Sequence, residues 1–159
     1  MLIATRSGKI NISKEKDTRL VAERLSRLIN LGDFILLTGN LGVGKTTFTK
    51  YIINSLQRIN RQEISEVPSP TFNITNEYQI KKILIKHYDL YRIKNEKELN
   101  NLGIQENLKK QITLVEWPEM VKKLKIKNII SLIFKYNKNY TERYLTIISK
   151  NKKLINEFK

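Results

Sequence analysis

The chain has 159 residues, 40% hydrophobic and 28% charged, which is enough to bury a core and short enough for one domain over 1–159. Zero cysteines exclude disulfides, thiolate metal sites and cysteine nucleophiles, and the single histidine, His87, leaves no material for a histidine-built metal centre or a Ser-His-Asp triad. No apolar run approaches the ~18 residues that span a bilayer. The segment MLIATRSGKI lacks a secretory apolar region, so a cytoplasmic protein with no membrane partner is expected. The formal charge is +15, from 30 Lys+Arg against 15 Asp+Glu. Lysines accumulate together with isoleucine and asparagine, as AT-rich coding sequence produces, so many of them read as a solvated face. The excess sits at both ends of the chain, while residues 61–121 hold most of the acids.

In chain order, Ser13 opens a helical pattern whose apolar stripe (Leu20, Val21, Leu25, Leu28, Ile29) runs to a stop at Asn30-Leu31-Gly32. Phe34–Thr38 is a short continuous apolar run, as in a strand buried on both faces. A glycine-rich loop follows at 39–44, and Lys45 to about Arg58 is helical in pattern. Strands are expected at Thr71–Ile80 and Ile83–Tyr88 around a turn at Lys81-Lys82, then short helical pieces over 96–108 broken by Gly103. Ile112–Val115 reads as another buried strand, and Ile129–Tyr136 with Tyr144–Ile148 as a terminal hairpin. The order predicts an α/β fold with a mixed, mainly parallel central sheet and a C-terminal β-hairpin.

Gly39-Asn40-Leu41-Gly42-Val43-Gly44-Lys45-Thr46 satisfies G-x-x-x-x-G-K-[ST] at every fixed position, between an expected strand and an expected helix. The glycines permit conformations and close approach that a Cβ blocks, and the loop's N–H groups can turn inward to hold phosphate oxygens. Lys45 supplies a point charge at the head of a helix whose dipole points the same way. Thr46 offers a hydroxyl to Mg²⁺, and Thr47 can reach an α-phosphate oxygen.

Hydrolysis also needs a carboxylate for the metal and a group that orients water. Of three aspartates, only Asp89 ends an expected strand, and Glu116 ends another in the Walker B pattern of an apolar run closed by an acid. The carboxyl ends of sheet strands are where open α/β folds place their ligand chemistry. Between them and the loop, Pro68 and Pro70 stiffen Val67-Pro68-Ser69-Pro70-Thr71-Phe72 and present Thr71 as a switch-like hydroxyl.

Taken together, GNLGVGKTTF (39–48), SPTF (69–72), HYDLYR (87–92) and VEWPE (115–119) resemble the TsaE family of small P-loop ATPases of tRNA threonylcarbamoyladenosine synthesis. The resemblance implies a single-domain P-loop NTPase that binds ATP and Mg²⁺ and hydrolyses ATP, together with the TsaB and TsaD proteins, meeting tRNA only through that complex; the few arginines near the acidic middle predict that the isolated chain does so slowly. It implies that Lys45 binds phosphates, that Thr46 and Glu116 hold the metal, and that Thr71 and Asp89 complete the catalytic side. Trp117 is then expected beside the nucleotide, and Arg143 is the candidate for a contact from the last hairpin. The Gly often found before that arginine is absent here, where Asn139-Tyr140-Thr141-Glu142 stands. The isolated chain is expected to be a monomer or weakly self-associating. The competing readings are a P-loop kinase and a basic nucleic-acid module. The kinase lacks an arginine-bearing lid, since only Arg61 and Arg92 occur between residues 59 and 142, and Arg92 is expected to pair with Asp89. The nucleic-acid module leaves the phosphate loop unexplained and has no aromatic run for stacking bases.

Overall fold

The structure is a computed structural model and describes residues 4–159. Eight strands form one sheet: β1 (Thr5–Arg6), β2 (Ile10–Asn11), β3 (Phe34–Thr38), β4 (Thr75–Ile80), β5 (Ile83–Asp89), β6 (Gln111–Glu116), β7 (Ile129–Tyr136) and β8 (Arg143–Ser149). The helices are α1 (Glu15–Ser26), α2 (Lys45–Ile59), α3 (Glu96–Asn101) and α4 (Lys152–Asn156), with single 3₁₀ turns at Leu108–Lys110 and Val121–Lys123. The strand order is β1-β8-β7-β3-β6-β5-β4, with β2 also on β8. The four central strands β7, β3, β6 and β5 run parallel, and antiparallel partners close both edges. β3 is apolar up to Thr38 and β6 is buried along its whole length, because both faces of these central strands are covered.

Helices α1 and α2 cover one face, where Ala22, Leu25, Phe48, Ile52 and Ile53 pack on Ile35, Leu37, Leu114 and Leu132. On the other face a smaller cluster of Phe34, Leu36, Tyr88, Leu99 and Val115 lies beneath α3 and its flanking turns. Asn95 caps α3, its side chain accepting from the Glu98 N–H at 2.9 Å while the Glu98 carboxylate accepts from Asn95 Nδ2.

Helix α1 ends four residues before the expected stop, because Arg27 and Leu28 tighten into bonds back to Arg24 and Leu25. Ile29 remains buried beyond it. The strand expected from Thr71 begins only at Thr75. Ile74 donates to the Pro70 carbonyl and adopts φ +65°, so residues 71–73 turn instead of extending. Three elements carry no expectation above: β1, β2 and α4.

No described helix is long and apolar enough to cross a membrane.

Candidate functional site

The site lies at the carboxyl ends of the parallel strands. The phosphate loop leaves β3 and enters α2, with Gly44 at φ +108°. A Cβ on Gly39 would come within 2.8 Å of the Phe134 carbonyl oxygen and 2.9 Å of its Cβ, so the loop crosses β7 only because Gly39 has no side chain. Val43 is fully buried and roots the loop in the core, while Leu41 at its tip is 75% exposed. Tyr136 donates its hydroxyl to the Gly42 carbonyl at 3.0 Å and braces the far side.

Lys45 is buried and folded back on its own loop. Its Nζ donates to the carbonyls of Gly39 (2.7 Å) and Asn40 (3.0 Å) and stands 3.9 Å from the centre of the Trp117 ring. Burial pushes the Lys45 ammonium below its usual range, and the charges of Glu116, Asp89 and Glu119 oppose that shift. The lysine is therefore held by weak acceptors where an incoming anion could take over its donors.

Register pairs Asp89 of β5 directly with Glu116 of β6, so the two carboxylates stand side by side. Thr46 Oγ1 donates to Glu116 Oε2 at 2.9 Å. Glu116 Oε1 lies 2.8 Å from His87 Nε2, inside the core where His87 is wholly buried. A carboxylate accepts only, so Nε2 carries the hydrogen, and Nδ1 is left buried with no partner among the described residues. Thr71 Oγ1 donates to Asp89 Oδ2 at 3.0 Å, and the Tyr91 N–H donates to Oδ1 at 3.0 Å. Lys45, Thr46, Thr71, Asp89, Glu116 and Trp117 thus line one cleft of about 240 Å³, together with Gly42, Gly44 and Thr47.

The family model for "Threonylcarbamoyl adenosine biosynthesis protein TsaE" matches residues 12–145. The chain belongs to the TsaE family. It is similar to tRNA threonylcarbamoyladenosine biosynthesis proteins TsaE of Rickettsia felis (37% identical, over 71% of this chain and 64% of that protein) and Rickettsia conorii (34%, over 89% and 78%). A third relative of the same description, from Bacillus subtilis, is 37% identical over 67% of this chain and 63% of its own. The chain therefore spans less than two thirds of the length of some of these relatives. Its fold matches the crystal structure of Bacillus subtilis YdiB with a TM-score of 0.75 at 24% identity, over 98% of this chain and 95% of that one.

Within this TsaE chain, Arg143 lies on the other side of the phosphate loop from the carboxylates. With Ile12, Glu15, Gly44 and Thr47 it lines a second hollow of about 210 Å³, continuous with the cleft through Gly44 and Thr47. The Arg143 guanidinium donates to the Ser13 carbonyl at 2.7 Å, and its own N–H donates to Ser13 Oγ at 2.9 Å. The start of α1 and the last hairpin are tied together there without the missing glycine.

Arg92 does not pair with Asp89. Its guanidinium donates to the Phe72 carbonyl at 2.7 Å and stacks on the Phe72 ring, because Asp89 is already taken by Thr71 and the Tyr91 N–H. Three contributors carried no role in the sequence reading: His87 behind Glu116, Tyr91 with its ring 4.8 Å from that of Trp117, and Tyr136 beneath Gly42. For His87 a signal existed, since it stands two residues before Asp89 on the same face of β5.

Proposed function

We propose that this TsaE chain binds ATP with Mg²⁺ and hydrolyses it slowly, in support of threonylcarbamoyl transfer to adenosine 37 of tRNAs reading ANN codons. The observation that carries this reading is the contact between Thr46 and Glu116. It joins the phosphate loop to the end of β6, and the two remaining candidates, Thr71 and Asp89, meet at 3.0 Å in the same cleft. Among the described residues no group of three or more His, Cys, Asp or Glu could hold a metal ion unaided. A hydroxyl and a carboxylate, with Asp89 beside them, instead suit a hard cation that completes its shell with water and phosphate oxygens. Thr46 and Glu116 are the residues that would hold Mg²⁺, which when bound supplies charge neutralisation for the β- and γ-phosphates.

The chain's own groups divide the remaining work. Loop N–H groups between Asn40 and Thr47 (other than that of Val43, which donates to the Asn40 carbonyl) and the Lys45 ammonium bind the phosphates, Lys45 giving up the Gly39 and Asn40 carbonyls to do so. His87 fixes the rotamer of Glu116 from behind. Asp89 holds Thr71 and with it the Pro70–Ile74 turn at the mouth of the cleft, where the Thr71 hydroxyl and the Asp89 carboxylate can orient an attacking water. Trp117 and Tyr91 wall the phosphate end, and the Arg143 hollow receives the nucleoside end.

The kinase reading gains no support from this geometry, since Arg92 is committed to Phe72 and no arginine lines the cleft. An arginine supplied by a partner is worth ~10³–10⁵ in rate, so the isolated chain is expected to turn over well below the ~1–100 s⁻¹ of kinases. The family resemblance names TsaB and TsaD as those partners. Steady-state ATP hydrolysis with and without TsaB, TsaD and tRNA tests this: stimulation by the complex is expected, and fast turnover by the chain alone, unchanged on adding them, would overturn it.

A further inference from the structure

Two hollows of about 440 Å³ each, larger than the nucleotide cleft, lie on the β7–β8 hairpin; neither is lined by a residue of the phosphate loop, although Tyr136, which lines one of them, also braces Gly42. Strand pairing decides which side chains they present. Ser131 faces Ile148, Ile133 faces Thr146 and Lys135 faces Tyr144, while Arg6 and Asn11 extend the same face across β1 and β2. Over β3 and β6 this side of the sheet is roofed by the smaller core cluster. Over β7 and β8 the roof is missing among the described residues. Ile133, Tyr144 and Ile148 are half-buried yet belong to neither cluster, and α4 packs Leu154 and Ile155 into the core on the opposite side.

The charge on this face is one-sided. Arg6, Lys9, Lys127, Lys135, Lys138 and Lys150 are all exposed, and none makes an ion pair among the described residues. No carboxylate lines either hollow. The nearest acid in the hairpin, Glu142, accepts from the Tyr144 hydroxyl and from Asn137. By contrast Arg19, Arg24, Arg58 and Lys86 on the other elements are paired. Lys127 stands two residues before β7 and Lys135 near its far end, and the strand from Ile129 to Lys135 spans about 20 Å at ~3.3 Å per residue. Six unmatched cations on an open, shallow floor fit an extended polyanion. Of the larger apolar residues that line the hollows, Ile126, Ile129 and Tyr136 already pack against the core clusters, which leaves Ile133, Ile148 and Tyr144 to meet a ligand; the one-sided charge is the stronger signal, and a phosphate backbone needs no apolar anchorage.

We propose that this cationic half-sheet docks RNA directly, through its phosphates and without base readout. The inference goes beyond the ATPase reading and does not depend on it.

The test is fluorescence-anisotropy binding of an unmodified tRNA transcript to the full chain across 50–300 mM KCl, without nucleotide. Combined Lys9→Gln, Lys135→Gln and Lys150→Gln is expected to weaken binding at least tenfold at low salt and to lower the slope of log K against log salt by about two to three. ADP affinity of the same variant, measured by calorimetry, is expected to be unchanged, which reports the fold and the nucleotide site separately. Combined Lys94→Gln, Lys97→Gln and Lys122→Gln removes the same charge elsewhere and is expected to cost less than threefold. Absence of RNA binding at 50 mM KCl, or equal losses in the two triple variants, overturns the proposal. Displacement of the RNA by poly-glutamate at matched charge concentration would reassign the face to acidic polypeptides and overturn it as well.

Discussion

Glu116 has both carboxylate oxygens engaged before any ligand arrives, one by Thr46 and one by His87, and this separates two consequences of changing it. Glu116→Gln can still accept from His87 and meet Thr46, so it is expected to melt within a few degrees of wild type while ATP turnover falls at least tenfold. Glu116→Ala strands a buried imidazole N–H, a loss on the order of 1–3 kcal/mol, and is expected to lower the melting temperature as well. Lys45→Ala removes the only ammonium that lines the cleft among the described residues and is expected to abolish measurable ATP binding by calorimetry. Tyr88, between His87 and Asp89 but on the opposite face of β5, gives a prediction separate from the site's chemistry. Its hydroxyl is buried without a partner among the described residues, and burial first, with the charges of Glu77 and Glu106, pushes it up to about 12. Between the ordinary value near 10 and about 12 the unfolded chain ionises while the folded one does not, so stability falls with pH across that window. Tyr88→Phe is expected to be as stable as wild type at pH 7 or slightly more so, and to lack that extra fall between pH 10 and 12 in denaturant titrations.

At the scale of elements, the β4–β5 hairpin turns through Lys81 at φ +50°, a left-handed conformation imposed on a side chain that gains nothing from it. Lys81→Gly is expected to raise stability by up to ~1 kcal/mol, measured by thermal or chemical unfolding. What the sequence disclosed follows the same physics. The phosphate loop was legible because its backbone demands glycine at fixed places, and Gly39 against Phe134 shows one such demand met. Glu116 was legible because a strand buried on both faces has no use for a charge, and Asp89 because it is the one aspartate that closes an expected strand; both mark the sheet end where ligands bind. The two-residue strands β1 and β2 and the five-residue α4 were not, since nothing so short displays a period. The strand start at Thr75 was missed because the Pro70–Ile74 bond that delays it uses backbone atoms and leaves no residue signature. The role of His87 needed the third dimension: β5 and β6 are adjacent in space, and 29 residues separate His87 from Glu116 in the chain.

At the scale of the whole molecule, the parallel strands bring the catalytic candidates to one end of the sheet, while the hairpin at its flank presents a surface of a different kind. The hollow beside the phosphate loop has a history that its static geometry conceals. One wall is the start of α1 and the other is Arg143, partners 130 residues apart in sequence. Closing a loop of that length costs about 4 kcal/mol of chain entropy, and no short-range contact offsets it locally. The pocket is therefore among the last features a folding chain can complete, and a chain still being synthesised lacks it until β8 has emerged. On the proposed reading, nucleotide bound there would act as a clasp on the two ends of the fold, worth about 2.7 kcal/mol at a hundredfold excess over its dissociation constant. Hydrogen exchange is expected to register this as slower exchange of the Ile12 and Arg143 amides on adding ADP, out of proportion to the change in α3. Equal protection of both regions would mean that the ligand merely stabilises the globule as a whole, and that the two ends of the chain are held by the sheet alone.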